Sequence, residues 1–154
     1  MSVFFTFYGE ANLTTGALRY LMAQAVGGTI SPEGFIFREG MDITALCVAD
    51  DDEEESTGAY FGFTERVSVT FTFHYLAGLE LTDHNTALMV LAVLAVFDAA
   101  PGRGVLLYNG SQVVLQRLDD GVEFDSEWAD WSQNAETAPL LDHYPSRLLA
   151  QPLL

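Results

Sequence analysis

The chain has no lysine, and its only cations are six arginines, set against 22 aspartates and glutamates for a formal net charge of -16. So few cationic groups leave it without the usual means of neutralising phosphate, which argues against nucleic-acid binding. An anionic membrane surface repels it for the same reason. Cys47 is the only cysteine, so no intramolecular disulfide can form and a reducing compartment is compatible. Long hydrophobic runs are missing too: the longest uninterrupted apolar stretch, 87–97, is about half of the roughly 20 residues that a membrane-spanning helix needs. The start, Met1-Ser2-Val3-Phe4-Phe5, lacks the basic, long apolar and small-residue segments of a secretory signal, so a cytoplasmic location is expected.

What is present is enough for one core. A length of 154 residues with 49% hydrophobic and 12% aromatic content points to a single domain over 1–154. Solubility alone does not account for the acidity, because a net charge of about 2 to 8 suffices for a small domain. Adaptation to high salt, a solvated surface from a lysine-poor genome, and a field that attracts a basic partner all fit the composition. The last makes association fast and salt-sensitive.

Periodicity predicts an α+β fold. Ser2–Tyr8 reads as a strand, and Thr14 or Thr15 caps a helix with Leu18, Leu21, Met22 and Ala25 on one face and Gly27-Gly28 as its stop. Strands follow at Gly34–Arg38 and Ile43–Ala49. In 66–75, Val67, Val69, Phe71, Phe73 and Tyr75 alternate with Ser68, Thr70, Thr72 and His74, so one face is core and the other wet. A second helix starts at Thr82 or Asp83 and runs to about Ala99, before Pro101-Gly102. Apolar all round in its middle, it is either wrapped by structure or exposes a surface that meets another chain, a homodimer being one such case. Asn109-Gly110 joins Gly104–Tyr108 to Ser111–Leu118 through a type I′ hairpin turn. A further turn at 119–121 leads to Val122–Phe124, then a short helix with Trp128 and Trp131, then an irregular segment, 132–154, broken by Pro139, Pro145 and Pro152. The expectation is one mostly antiparallel sheet of about six to seven strands, with two main helices on one face.

No arrangement of residues announces catalysis. His74, His84 and His143 fall in no metal-ligand or catalytic spacing and read as surface histidines. No serine sits in a nucleophile elbow, and Cys47 shares a strand face with Ile43 and Ala45, as a buried structural cysteine would. Gly27-Gly28 ends a helix rather than opening one, the wrong end for an anion. No catalytic residue, cofactor or metal is therefore expected.

Two features could meet a partner. The acidic run Asp50, Asp51, Asp52, Glu53, Glu54, Glu55 lies in a segment, 50–58, that cannot pack and reads as a loop. Read as a calcium loop from Asp50, it would need Gly in sixth place and Glu in twelfth, where Glu55 and Phe61 stand; an interaction patch or solvated loop fits better. Trp128 and Trp131, three apart and surrounded by Asp125, Glu127 and Asp130, either anchor a basic target or close the edge of the core.

Two stretches carry a resemblance. Tyr60-Phe61-Gly62-Phe63-Thr64-Glu65-Arg66-Val67-Ser68-Val69-Thr70-Phe71, and Val96-Phe97-Asp98-Ala99-Ala100-Pro101-Gly102-Arg103-Gly104-Val105-Leu106-Leu107 continuing through Val113 to Arg117, resemble the bacterial Sit-type immunity proteins. That group carries a similar "FGFTPTVSV" strand and a "PGDAVL" segment before its hairpin. Here Glu65 replaces the usual proline and Arg103 the usual aspartate. The resemblance implies a non-enzymatic protein that binds and neutralises a cognate protein toxin; the acidity of this chain adds the expectation that the toxin is basic. The alternative from the residues alone is a ligand-binding or enzymatic domain with a pocket between the sheet and helix 83–99.

Overall fold

Alternation of apolar and polar residues builds the central strands, and the computed structural model, which describes residues 3–48, 57–74, 77–119 and 121–152, places them in one sheet. The elements in chain order are β1 (Val3–Gly9), α1 (Thr15–Val26), β2 (Thr29–Ile30), β3 (Ile36–Arg38), β4 (Met41–Cys47), β5 (Val67–Phe73), α2 (Leu79–Ala99), β6 (Gly104–Tyr108), β7 (Gln112–Arg117), β8 (Glu123–Asp125), α3 (Ala129–Gln133) and β9 (Ser146–Arg147). Turns of 3-10 helix cover Thr57–Phe61 and Ala138–Asp142.

The sheet has nine strands in the order β2-β3-β4-β5-β1-β6-β7-β8-β9, more than the six to seven expected. The surplus includes both edges, β2 and β9, which have two residues each, too few to show any period. Every pairing is antiparallel except β8 with β9.

Local chemistry sets the helix ends. Thr14 Oγ1 accepts from Ala17 N at 3.1 Å, and Gly27 closes α1 in the left-handed conformation at φ 65°. The α2 helix begins at Leu79, earlier than Thr82 or Asp83, because it is capped by the backbone of Gly78, with no side-chain bond to mark the start. Its far end is held by Arg117 of β7, which donates to the carbonyls of Phe97, Ala100 and Gly102 at 2.8–3.0 Å. A cation there meets the negative end of the helix. Asn109 and Gly110, at φ 48° and 79°, make the expected left-handed pair in the β6–β7 hairpin.

The main core joins α1 and α2 to the inward residues of the sheet, Phe5, Phe7, Ile43, Ala45, Val69 and Phe71 among them. By length and composition α2 could cross a membrane; in this fold it is the central core helix, with Met89, Val90, Ala92 and Val93 fully buried. Asn85, also fully buried, fastens it to the β3–β4 turn by donating to Glu39 O at 2.9 Å and accepting from Arg38 Nε.

A second, smaller core lies on the opposite face of the sheet. There Val105, Leu107 and Val113 are covered by Phe63, which follows the 57–61 turn, and by Leu149. Gln151 completes this cover: its side-chain amide accepts from Val113 N at 2.7 Å and donates to Val113 O at 3.0 Å, as a neighbouring strand would. The segment read as irregular, 132–154, thus supplies a 3-10 turn, the edge strand β9 and part of this cover.

Candidate functional site

Among the described residues, the second core covers only part of its face. Over β3, β4, β5 and the adjoining side of β1, the outward residues form three rows across the paired strands. One row is Phe37, Asp42, Thr72 and Phe4; the next is Thr44, Thr70 and Thr6; the third is Leu46, Ser68 and Tyr8. Thr6 and Thr70 place their hydroxyls 3.4 Å apart. Phe37 and Leu46 are 46% and 41% exposed, so large apolar groups stand in two of the rows. Asp42 is the one carboxylate in these rows, and it pairs with His74 Nε2 at 3.0 Å.

Acidic groups gather beyond one end of these rows, around the start of α2. Glu39, Glu80, Leu81, His84 and Glu136 line a shallow groove, in which His84 Nδ1 lies 2.7 Å from Glu136 Oε1. Nearby, Asp83 and Asp130 repel each other. Burial of its inner side first, and the Asp83 charge second, raise the Asp130 carboxyl above its ordinary value. The arginines do little to break up this surface, because several are turned inward: Arg19 donates to Ala45 O, Arg38 to Asn85 and Val26 O, and Arg117 to the end of α2.

The residues singled out from sequence do not assemble into one site. The acidic run Asp50 to Glu55 lies outside the described residues. Trp131 is 1% exposed, with Nε1 donating to Val114 O at 2.9 Å, which leaves no indole surface for a partner. Trp128 is half-buried at the N-cap of α3, against Tyr108 and Phe5 at ring distances of 4.7 and 6.2 Å, and its buried Nε1 has no hydrogen-bond partner. His74, His84 and His143 are at the surface. Cys47 is half-buried rather than buried, because β4 ends there at the rim of the core; its Sγ donates to Leu13 O at 2.8 Å.

A cleft of about 330 Å³ does open between the end of the sheet and α2, lined by Phe5, Phe73, His74, Thr86, Tyr108 and Asp130 among others. Its polar groups are partly spent elsewhere, Thr86 on Thr82 O and His74 on Asp42. Among the described residues, no group of three or more His, Cys, Asp or Glu side chains could hold a metal ion.

What sequence reasoning missed is the part of the sheet face that, among the described residues, the second core leaves uncovered. The Ser68, Thr70, Thr72 alternation marks β5 as wet on one face, but only the pairing shows that β4 and β1 extend the same surface. The two departures from the immunity-protein pattern both have internal partners. Glu65 is buried and accepts from Gly58 N at 3.4 Å, and Arg103 pairs with Glu10 at 2.8 Å.

A family model described as SitI3-like matches residues 3–135, a span from β1 through α3. No curated protein and no solved structure matches the chain.

Proposed function

We propose, with the premise that the chain belongs to the SitI3-like family, that it is an immunity protein that binds one cognate bacterial toxin and blocks it without turnover of its own. The observation that carries this reading is the family match, which takes in both long helices and most of the sheet.

The charge supports a basic partner. A net charge of -16 attracts a cationic protein over several ångströms of solvent and speeds encounter, while packing at the contact decides how long the complex lasts. The acids around the start of α2 fit that role. In the absence of a partner Asp83 and Asp130 only repel, so their proximity costs stability that a cationic partner would return. Such a protein acts in the cytoplasm of the cell that makes it, where a toxin arriving from a sibling is met before it does damage.

The test is direct. The purified chain is titrated with the product of the adjacent reading frame in calorimetry and surface-based kinetics. A stoichiometric complex is expected, whose association rate falls at least about tenfold between 20 and 150 mM salt. Absence of binding in every buffer removes this reading.

A further inference from the structure

We infer that the cleft between the end of the sheet and the first turns of α2 receives one basic side chain of the cognate toxin, lysine or arginine, with its methylene stem on the aromatic floor and its charge at the Asp130 carboxylate. This rests on the immunity reading above and adds to it the place and chemistry of one anchoring contact.

The cleft is assembled from distant parts of the chain. Phe5 of β1 and Phe73 of β5 make its floor with Tyr108 of β6; the Phe5 ring centroid lies 5.6 Å from that of Phe73 and 5.3 Å from that of Tyr108. Thr82 and Thr86, one turn apart on α2, form a wall, and the exposed Asp130 of α3 stands at the rim. The floor is fixed, because Trp128 packs against both Phe5 and Tyr108. Asp130 is fixed as well: its carbonyl accepts from Asn134 N at 3.1 Å, and the next residue, Trp131, is buried and bonded to Val114 O. The volume, about 330 Å³, is at the small end for ligand pockets and suits a single long side chain.

The charges select a cation. Among the described residues the Asp130 carboxylate has no hydrogen-bond donor and no cation beside it, and its charged neighbour is Asp83. Burial and the Asp83 charge both work against its ionised form, and a cation seated there offsets both. No arginine lines the cleft, and His74, the imidazole that does, is paired with Asp42. The start of α2 pulls the other way, since a helix N-terminus carries about half a positive charge. Glu80 in the first turn meets that half charge, whereas Asp83 and Asp130 bring two carboxylates, so the balance is negative. The Thr86 hydroxyl donates to Thr82 O and is not free to hold an anion. Aromatic rings act in the same direction as the acids: their faces attract ammonium and guanidinium groups, and their surfaces accept the methylene stem.

The experiment uses the full chain and the product of the adjacent reading frame. Asp130→Asn is expected to weaken binding at least about tenfold, and Val3→Trp, which crowds the cleft from an exposed lining position, at least about 30-fold. Glu33→Gln, at an exposed acid in the turn before β3, makes the same charge change as Asp130→Asn and should leave Kd within about twofold, with circular dichroism and Tm confirming the fold of all three. Alanine replacement of each lysine and arginine of the toxin in turn should find one whose effect disappears in Asp130→Asn, a coupling that a double-mutant cycle reads. Hydroxyl-radical footprinting of the unmutated complex serves where a variant fails to fold: Tyr108 should lose reactivity on binding while Tyr20 keeps its own. Equal losses from Asp130→Asn and Glu33→Gln, wild-type affinity in Val3→Trp, no coupled basic residue, or protection of Tyr20 in place of Tyr108 each overturns the inference and leaves the immunity reading intact. Tight binding of hexylammonium, with a toxin complex indifferent to Asp130→Asn, makes the cleft a small-amine site and overturns it too. Failure of the unmutated chain to bind the toxin sinks the immunity reading itself, and this inference with it.

Discussion

Glu10 and Arg103 are locked to each other by main chain and side chain together. The Glu10 carboxylate accepts from Arg103 N, Nε and Nη2 at 2.7, 2.8 and 3.1 Å, and Glu10 N donates back to Arg103 O at 2.9 Å. This clamp ties the exit of β1 to the turn between α2 and β6. It gives the Arg103 cation an acid partner within the fold.

The clamp makes stability depend on acid. The Arg103 side chain, more than any other group, holds the Glu10 carboxyl below its ordinary value. A depressed carboxyl adds stability that is fully present above the unfolded value, near pH 4.3, and is lost as pH falls through the lower folded one. Wild-type Tm should therefore exceed that of Glu10→Gln at pH 7, with the gap closing below about pH 4.3. Arg103→Asp should be worse than Arg103→Ala at pH 7, because it sets two carboxylates together. Equal melting of all variants across pH 3–7 would show that the clamp contributes nothing.

Phe7 lies across two glycines that face each other in the β1–β6 pair, Gly9 and Gly104. A Cβ at Gly104 would come within 2.7 Å of Phe7 Cζ and 2.8 Å of Phe97 Cε1. Gly104→Ala is expected to cost about 1–3 kcal/mol in urea unfolding, since both rings belong to the packed core and cannot retreat freely. Phe7→Leu in that background should recover part of the loss relative to additivity, which a double-mutant cycle reads.

Trp131 packs edge-on against Phe124, at a ring distance of 5.4 Å, as well as bonding to Val114 O. Trp131→Phe keeps most of the packing but leaves a buried carbonyl unpaired, at a cost of about 1–3 kcal/mol. Trp131→Ala adds a cavity and should reach about 3–5 kcal/mol. Chemical denaturation of both variants measures the two parts separately.

Asp130 shows the opposite pH behaviour to Glu10. Its raised carboxyl holds the proton more tightly in the folded chain than in the unfolded one, so ionisation subtracts stability as pH climbs past the unfolded value. Asp130→Asn should raise Tm at pH 7, and the advantage should vanish below about pH 3.9. If the toxin does pair with this acidic end, the same substitution slows association at low salt.

Much of the fold was legible because it is written locally. The alternation in 67–73, the Thr14 and Gly27 caps of α1, and the Asn109-Gly110 turn each depend on a few neighbouring residues and stand where they were read. The start of α2 was not, since Gly78 caps it with no side-chain bond. Nor were β2 and β9: a two-residue strand has no period and exists only because a partner strand supplies its hydrogen bonds. Of the candidate contacts, the Trp128 and Trp131 pair reads more readily as closing the core than as anchoring a partner, and Trp131 does the former; spacing along a short helix does not by itself say which side the rest of the chain will cover.

Side-chain chemistry and short-range order were thus the sequence's own doing: the acidity, the lack of lysine, the single thiol, and the faces of α1 and β5. Tertiary structure decided what covers what. The Gln151 amide reaches Val113 across 38 positions of chain, and the docked tail seals the β6–β7 side of a sheet face. Burial is a property of pairs of distant segments, and no window of neighbouring residues contains both members of the pair.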